Sequence, residues 1–427
     1  MSDTALSAEN AVEEVSAESA DWLAVLQDAI QAPSVNPPGE TTAVADVVTG
    51  VLDGYGIDYD LIEPLADAPN VLAAFTGEAG PPDQGIHVTF NGHLDTYEVG
   101  QTDRWKRDPF SGAIEDGRIH GRGSSDMKAG TIATLAAFCY LYERRDAFAG
   151  RVTFAGVSDE ETGGEWGTEY LIEEYPEHVG DVVLNGEPSS GLIRFGERGP
   201  LWLNIRVRGE SAHSALPEGT SATGVLVEVL HDMQTDEALE ALTDVPDDIA
   251  EIIMQGEAEM DAIYGEGATE FSLTPSMNIG KYEGGSKVNL TAEVASAEVD
   301  LRLPIGFSID DALDWAESVV GERRADVSIE VSNRHEPTYT HPEEPLLQTL
   351  QRTASMVRDG DPPPFTCGHG FTDLRFYRSA GAQAAYYGPT PHNMGSQNEY
   401  IAIDEFDETL AVHTATAVEL LTESHPE

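Results

Sequence analysis

Lysine is scarce in this 427-residue chain, which has four lysines and takes its other basic side chains from arginine. The 23 basic residues face 77 acidic ones, so the formal net charge is -54. Such a negative field repels phosphate backbones and anionic lipid headgroups, and we therefore expect no nucleic-acid partner and no membrane partner. The acidic residues are spread along the whole chain, which is typical of surfaces that remain soluble in concentrated salt. The composition predicts a halophilic, cytoplasmic protein.

Cysteine and long apolar runs are rare as well. The two cysteines, Cys139 and Cys367, lie far apart in the sequence and give no disulfide framework. No stretch of the sequence has the apolar length needed to span a bilayer. The first twenty residues contain neither a basic region nor an apolar run, so we expect no signal peptide.

The remaining composition is typical of a globular protein with two domains. Hydrophobic residues make up 40% of the chain and glycine occurs 41 times, which excludes disordered, collagen-like and coiled-coil classes for most of it. A chain of 427 residues is also longer than one compact core of ordinary size requires.

Short apolar runs alternate with helical patterns in the first half of the chain. Continuous apolar strands separated by helices predict an α/β fold with a mainly parallel central sheet flanked by helices. The predicted strands are 86–93 (IHVTFNGH), 150–161 (GRVTFAGVSDEE) and 181–188 (DVVLNGEP), with helices predicted at 127–145 and 167–176.

The pattern changes at about residue 192. From there, alternating polar and apolar residues predict an antiparallel sheet, with helical runs between its strands. We therefore predict a catalytic domain over 1–191 and 306–427, and an inserted α+β domain over 192–305.

Each predicted strand of the first half runs into histidine or acidic side chains at its C-terminal end. His93 and Asp95 follow the first strand, Glu160 and Glu161 the second, and Glu187 the third. In open α/β sheets the carboxyl ends of the strands form the edge where ligands bind. We therefore expect these side chains to lie in one crevice.

A metal site explains this set of residues. Asp126, in the glycine-rich segment HGRGSSDMKAG, and a histidine late in the chain complete the oxygen and nitrogen ligands of a hydrolytic site with two zinc ions. Of the two carboxylates at the end of the second strand, one can bind metal while the other acts as general base.

Simpler interpretations exist for each residue taken singly. Asp126 fits a helix N-cap, Glu187 fits a cap at a strand end, and the pair Glu160 and Glu161 fits a charged surface. The sequence leaves these alternatives open, and it is the shared position at strand ends that favours the metal site.

Five motifs occur in the order and approximate spacing of a known family: GHLDT, GRGSSDMKAG, SDEETGG, NGEP and GESAHSALPEGTSA. On these motifs the chain resembles the dinuclear zinc amidohydrolases and metallopeptidases that include acetylornithine deacetylase, succinyl-diaminopimelate desuccinylase, aminoacylase, carnosinase-like dipeptidases and glutamate carboxypeptidase. The resemblance extends from PSVNPPGE to NEYI, nearly the whole chain. It implies a zinc-peptidase-like catalytic domain, an inserted lid and dimerisation domain, and a homodimer.

The resemblance also implies a ligand set. His93, Asp126 and Glu187 would hold one zinc ion, and Asp126 would bridge to a second zinc held by Glu161 and a C-terminal histidine. A cis peptide bond would follow the bridging aspartate, between Asp126 and Met127.

Two further carboxylates take roles beside these ligands in the resemblance. Asp95 would orient His93 from behind. Glu160 would take the proton from the attacking water and deliver it to the leaving amine.

The last histidine departs from the family pattern. The family usually places it four residues before the glutamate of the motif represented by NEYI, and that position is Gly395. His392 and His369 are the available histidines. Because the stretch around His392 contains prolines and glycines that can redirect a longer loop, we predict that His392 completes the second zinc site.

Three residues match substrate-contacting positions of the family. His213, in SAHSALPEG, would polarise the scissile carbonyl. Asn289, in GGSKVNLTAE, and Arg375, in FTDLRFYRSAG, would contact the substrate, and Arg375 could hold a carboxylate by a bidentate pair.

The predicted function is zinc-dependent hydrolysis of an amide bond in a small N-acyl amino acid, with two Zn²⁺ per chain that Co²⁺ could replace. A dipeptidase or carboxypeptidase of the same family is the alternative. A metal-free homologue that serves as a binding or scaffold protein is a third candidate, which the near-complete ligand set disfavours.

Overall fold

The structure is a computed structural model that describes residues 6–321 and 323–422. Its backbone contacts divide the chain into two compact units. Unit 1 consists of the chain up to Phe195, Thr340–Thr366 and the chain from Thr372 onwards. Unit 2 consists of Gly196–Tyr339 and Cys367–Phe371.

The helices and strands are numbered in chain order. The helices are α1 (Ala8–Ala17), α2 (Ser19–Gln31), α3 (Thr42–Tyr55), α4 (Ala129–Glu143), α5 (Tyr170–Glu174), α6 (Ala222–Thr235), α7 (Ala238–Ala241), α8 (Asp247–Gln255), α9 (Glu257–Tyr264), α10 (Ala268–Ser272), α11 (Ile309–Val320), α12 (Pro345–Arg358), α13 (Leu374–Ser379) and α14 (Ile403–Thr422). The strands are β1 (Tyr59–Leu65), β2 (Ala68–Thr76), β3 (His87–His93), β4 (Ala113–Glu115), β5 (Arg118–His120), β6 (Arg151–Val157), β7 (Val182–Asn185), β8 (Ile193–Glu197), β9 (Gly199–Arg208), β10 (Ser276–Gly284), β11 (Val294–Leu303), β12 (Asp326–Arg334), β13 (Thr338–Tyr339), β14 (Phe365–Gly368), β15 (Gln383–Tyr386) and β16 (Tyr400–Ala402).

Unit 1 is built on a mainly parallel sheet, which confirms the predicted fold class. Its strands lie in the order β1-β2-β6-β3-β7-β15, and β8 follows β15 as an antiparallel neighbour. Strand β3 runs parallel to both β6 and β7, and β15 runs parallel to β7. Strands β1 and β2 add an antiparallel edge. The apolar runs of β3, β6 and β7 are buried, as expected for parallel strands covered on both faces.

Helix α4 covers one face of this sheet. All of its residues from Ala129 to Leu141 are buried, including Cys139, because the helix lies between the sheet and α14. A helix that is apolar on every face belongs in a protein interior. No helix among residues 6–321 and 323–422 is long and apolar enough to cross a membrane.

The parallel register brings three strand ends to one edge. His93, the last residue of β3, pairs with Val157, the last residue of β6. Asn91 of β3 pairs with Asn185, the last residue of β7. The segments that follow these strands therefore leave the sheet side by side, as the sequence predicted.

Unit 2 is a four-stranded antiparallel sheet covered by helices. The strand order is β10-β11-β9-β12, and α6 and α11 pack on the sheet. One face of β9 places Leu201, Leu203, Ile205 and Val207 in the core of this unit, while the alternate residues from Trp202 are partly or fully exposed.

The division of the chain differs from the predicted insertion of 192–305 at its second boundary. Helix α11 contributes Ile309 and Trp315 to the core of unit 2, and β12 pairs with β9 along most of its length. A helix followed by a strand fits either domain by sequence pattern, and only the pairing with β9 assigns it. Unit 2 therefore extends to Tyr339.

Candidate metal centre

His93 stands at the end of β3 with a carboxylate on each side. Its Nδ1 lies 2.9 Å from the carbonyl oxygen of Asp95, so Nδ1 carries the proton and donates it. Its Nε2 lies 3.0 Å from Asp126 Oδ1 and 3.5 Å from Glu187 Oε1. Carboxylate oxygens only accept hydrogen bonds, so either a proton or a cation must stand between Nε2 and these oxygens. This is the arrangement that an imidazole metal ligand requires.

Asp95 joins His93 to the turn that carries the acidic pair. One carboxylate oxygen, Oδ2, accepts hydrogen bonds from Asn36 Nδ2 at 2.9 Å and from the backbone N–H of Glu161 at 3.1 Å. The other, Oδ1, accepts from the backbone N–H of Glu160 at 3.3 Å and lies 3.5 Å from His93 Nδ1. Burial alone would raise the pKa of Asp95, but the hydrogen bonds from His93, Asn36 and Glu161 hold that pKa below its usual value.

Asp126 lies in a tight turn that precedes α4. Its backbone is extended, with φ -125° and ψ 102°, and the peptide bond to Met127 is cis, as the resemblance implied. The helix starts after Lys128, and Asp126 does not cap it. Its carboxylate points instead at His93, which removes the helix-cap interpretation.

Three side chains form a group that could hold a metal ion. One ligand atom from each of His93, Asp126 and Glu161 lies within 4.8 Å of the others. Glu187 reaches the same imidazole from the end of β7. Within the described residues, Glu161 Oε1 is buried without a hydrogen-bond partner, so the group contains an oxygen that is open to a bound ion or water. Glu161 is therefore part of a cluster and not of a simple charged surface, and Glu160 lies next to it in the same turn.

Several carboxylates lie close together in the buried interior of this site, and their negative charges repel each other. Burial, followed by the charge of Asp126, raises the pKa of both Glu161 and Glu187 well above the usual value. Burial also raises the pKa of Glu160. It opposes the charged form of His93, but the carboxylates of Asp126, Asp95 and Glu187 outweigh it and hold the pKa of His93 well above its usual value. A bound cation would relieve this crowding, so the residues present fit a metal centre.

The structure does not bring His392 into this group. Its ring stacks on Tyr400, with centroids 4.5 Å apart and planes at 7°. Its carbonyl oxygen also accepts a hydrogen bond from the Tyr400 N–H. His369 belongs to unit 2, where its Nε2 lies 3.0 Å from the carbonyl oxygen of Ala268.

Arg375, predicted to contact substrate, lies in the interior of unit 1. Its Nη2 donates to the carbonyl oxygen of Gly163 at 2.6 Å and its Nη1 donates to that of Thr372 at 2.5 Å. The guanidinium thus holds the loop that follows Glu160 and Glu161.

The other two predicted substrate contacts lie together in unit 2. An antiparallel bridge joins His213 to Leu290, and the Ser214 N–H donates to the carbonyl oxygen of Asn289 at 3.0 Å. The Ala215 N–H donates to His213 Nδ1 at 3.2 Å, so a neutral His213 carries its proton on Nε2. Both His213 and Asn289 are exposed.

Comparison with known proteins decides the family. The sequence matches the profile of Peptidase family M20/M25/M40 over residues 89–419. The chain belongs to this family. It is therefore a hydrolytic enzyme that acts on amide bonds, and the family includes peptidases with two metal ions.

The chain is also similar to curated desuccinylases over 78% of its length or more. The succinyl-diaminopimelate desuccinylase of Methylobacterium radiotolerans is 29% identical over 412 residues, which covers 92% of this chain and 94% of that protein. A probable succinyl-diaminopimelate desuccinylase of Staphylococcus epidermidis is 25% identical over 337 residues, covering 78% and 80%.

Solved structures show the same fold. An M20 family metallo-carboxypeptidase from Sulfolobus solfataricus has a TM-score of 0.76 at 19% identity, covering 94% of this chain and 99% of that one. The di-peptidase Dug1p from Saccharomyces cerevisiae has a TM-score of 0.75 at 16% identity, covering 99% and 100%. A dinuclear metal-binding M20 peptidase from Bacillus subtilis has a TM-score of 0.65 at 13% identity, covering 95% and 99%.

Tyr97 lies two residues after Asp95 and was not singled out from the sequence. The charge of Asp126, followed by burial and the charges of Glu161 and Glu160, raises the pKa of the Tyr97 phenol. The side chain is 39% exposed, so it remains accessible from solvent. Its position directly after GHLDT was the available indication.

Proposed function

We propose that this M20 enzyme removes the acyl group from a small N-acyl amino acid, as a deacylase similar to succinyl-diaminopimelate desuccinylase. The observation that carries the proposal is the cluster of His93, Asp126, Glu161 and Glu187 at the end of a parallel sheet. The similarity to a desuccinylase across 92% of the chain supports the choice of substrate class.

Two Zn²⁺ ions would occupy this cluster, and Co²⁺ could replace them. His93, Asp126 and Glu187 would hold one ion, while Asp126, Glu161 and His392 would hold the other. His392 would have to leave its stack on Tyr400 to do so. When bound, the metal pair activates water at neutral pH and stabilises negative charge on the carbonyl oxygen.

Glu160 would move the proton in this reaction. It follows β6 in the same turn as Glu161, and its backbone N–H is tied to Asp95, which fixes the turn relative to His93. Glu160 would accept a proton from water as oxygen attacks the carbonyl carbon, and would deliver that proton to nitrogen as the C–N bond breaks. The products are a carboxylate and a free amine.

His213 would stabilise the developing oxyanion. With Nδ1 accepting from Ala215, its exposed Nε2–H is free to donate to a carbonyl oxygen. Asn289, in the adjacent segment, would contact the substrate.

We also propose that the enzyme is a cytoplasmic homodimer that associates through unit 2. Light scattering of the purified protein would test whether it is a dimer.

A dipeptidase is the second candidate, because the fold matches the di-peptidase Dug1p over 99% of this chain. Deacylation and dipeptide hydrolysis use the same steps at the amide bond, so the geometry of the cluster does not separate them. The groups that recognise the acyl side of the substrate would differ between the two activities.

One screen tests both candidates. The protein is purified in concentrated salt, loaded with Zn²⁺ or Co²⁺, and assayed against N-succinyl and N-acetyl amino acids and against dipeptides. Higher kcat/KM for N-acyl amino acids supports the deacylase, whereas higher kcat/KM for dipeptides supports the alternative. Absence of bound metal and of turnover on every substrate would leave a scaffold protein and overturn the proposal.

A further inference from the structure

Glu399 is a buried carboxylate that binds the turn of Asp126. It lies directly before β16 and is inaccessible to solvent. Its Oε1 accepts hydrogen bonds from the Ser125 N–H at 2.9 Å, the Ser125 hydroxyl at 3.0 Å and the Asp126 N–H at 3.3 Å. Its Oε2 accepts a hydrogen bond from Arg122 Nη1. All of these contacts go to the five residues from Arg122 to Asp126.

Arg122 extends the connection to two more segments. Its Nη2 donates to the carbonyl oxygen of Glu98 at 2.9 Å and to that of Ser396 at 3.1 Å. Glu98 belongs to the segment that follows His93 and Asp95, and Ser396 belongs to the loop between His392 and Glu399. The pair of Arg122 and Glu399 therefore joins the three segments that carry His93, Asp126 and His392.

The contacts require a carboxylate at position 399. Every partner of Glu399 is a donor, and an ionised carboxylate only accepts. An amide of the same shape has one accepting oxygen and one NH₂ group. In Glu399→Gln the NH₂ group would therefore face either the donor of Arg122 or the donors of Ser125 and Asp126. The change is therefore nearly isosteric and acts on hydrogen bonding.

We propose that Glu399, supported by Arg122, is a positioning residue that holds the Asp126 carboxylate at the place where a metal ion is bound. The inference rests on the proposed metal function of Asp126. Glu399 itself contacts the backbone of the turn and, in the described residues, makes none of its hydrogen bonds to His93, Glu161 or Glu187. Its direct hydrogen bonds reach the ligand set at Asp126, and those of Arg122 reach the segments that carry His93 and His392.

The test compares metal affinity in two matched variants. Glu399→Gln removes the accepting oxygen at the turn. Glu408→Gln makes the same change on α14, where the carboxylate accepts from the Tyr387 hydroxyl and lies 3.8 Å from Arg358 Nε, and where no hydrogen bond or ion pair among the described residues joins it to the cluster. Zinc affinity of each metal-stripped protein is measured by competition with a chromogenic chelator, and the unfolding midpoint of each metal-free protein is measured beside it.

We expect Glu399→Gln to weaken zinc binding by roughly 10- to 100-fold, the usual effect of removing a partner behind a metal ligand. Glu408→Gln should bind zinc as the wild type does. Excess zinc should restore turnover to Glu399→Gln, whereas it should not restore a Glu160→Gln variant, which lacks the base. Wild-type zinc affinity in Glu399→Gln would overturn the inference, and so would equal losses in the two variants.

A milder variant protects the test against misfolding. Ser125→Ala removes one of the contacts to Oε1 and keeps both backbone N–H donors. It should weaken zinc binding in the same direction by a smaller factor, and unchanged affinity in a folded Ser125→Ala together with an unfolded Glu399→Gln would overturn the inference. If wild-type protein bound no zinc at all, the proposed function itself would fail, and that outcome is distinguished by the first titration.

Discussion

The Asp95 carboxylate accepts a hydrogen bond from the backbone N–H of Glu161 at 3.1 Å, although 66 positions separate the two residues. The same side chain lies beside His93 Nδ1. One carboxylate thus sets the position of an imidazole at the end of β3 and of the acidic turn after β6. His93 and Glu161 both belong to the proposed metal centre, so the Asp95 carboxylate sets the position of one proposed ligand relative to the other.

Asp95→Asn should therefore weaken metal binding without unfolding unit 1. In the wild type the carboxylate accepts hydrogen bonds from the N–H groups of Asn36, Glu160 and Glu161. In the variant an NH₂ group faces some of these donors instead. We expect roughly a 10- to 100-fold loss of zinc affinity, measured by chelator competition. Glu408→Gln, a matched acid-to-amide change away from the site, is the control, and an Asp95→Asn protein with wild-type affinity would contradict the prediction.

Glu160→Gln should keep the metal ions and the fold but lose turnover. The amide cannot accept a proton from water, and loss of a general base typically costs roughly 10² to 10⁴-fold in kcat. Metal content of the purified variant by atomic emission shows whether the site is intact, and steady-state assays give kcat. Turnover within a few-fold of the wild type would remove Glu160 from this role.

His213→Ala should lower kcat more than it raises KM. The charge on the carbonyl oxygen that His213 would stabilise develops only in the transition state, and loss of one such donor costs roughly 10²-fold or more in kcat. Asn289→Ala, a neighbouring change in unit 2, should act mainly on KM if Asn289 binds the substrate in its ground state. A rise in KM alone for His213→Ala would contradict the proposed role.

Stability in mild acid should depend on His413. This histidine of α14 is fully buried, and its Nε2 lies 2.8 Å from the carbonyl oxygen of Tyr387. Burial, against the smaller effect of that hydrogen bond, lowers the pKa of His413 to about 4. An unfolded histidine titrates near 6.5, so the unfolded chain binds the proton first as the pH falls. The contribution of neutral His413 to the free energy of unfolding is complete above pH ~6.5. It decreases by about 3 kcal/mol as the pH falls toward ~4.

His413→Gln keeps a donor for Tyr387 and removes the titration. We expect its free energy of unfolding to fall less steeply between about pH 6.5 and pH 4 than that of the wild type, by up to one proton's slope. Denaturant unfolding at constant salt measures this slope. The same substitution at His231, which is exposed on α6, serves as the control. Parallel profiles for wild type and His413→Gln would show that another group governs acid unfolding.

The strand-end residues were predictable from the sequence because the rule behind them is geometric. Parallel strands end at one edge, so His93, Glu160, Glu161 and Glu187 had to leave the sheet together once β3, β6 and β7 were recognised. The interpretation of Asp126 was not fixed in this way. A helix cap and a metal ligand look alike in sequence, and the backbone of the turn excludes only the helix cap.

Contacts between distant segments could not be predicted from local pattern. Arg375 bonds to Gly163, 212 positions away, and nothing in FTDLRFY indicates that its guanidinium is used inside the protein. Glu399 served only as a landmark of its motif, although its carboxylate holds the Asp126 turn. The sequence motif identified Glu399 as a reference position, whereas its hydrogen bonds in the structure indicate its role.

His392 is a predicted ligand that lies outside the cluster of His93, Asp126 and Glu161. It belongs to the same unit as His93 and Asp126, and its loop is tied to the Asp126 turn through Arg122 and Ser396. Its ring, however, stacks on Tyr400, so binding a metal would exchange one stacking contact for one coordinate bond. A metal–imidazole bond in a site with few ligands contributes far more than a stack of about 1 kcal/mol, which favours the exchange once zinc is present.

We therefore predict that His392→Ala leaves about one tightly held zinc per chain, while His369→Ala retains about two and mainly changes substrate preference. His120→Ala is the matched control, because His120 packs against the same Tyr400 ring at 5.4 Å without belonging to the predicted ligand set. Loss of zinc in both His392→Ala and His120→Ala would assign the effect to the aromatic packing. Two retained zinc ions in His392→Ala with one lost in His369→Ala would instead place the second ligand on unit 2. Zinc loss confined to His392→Ala, measured as stoichiometry after gel filtration, is the expected result, since only that variant removes a nitrogen from the loop that Arg122 holds beside Asp126.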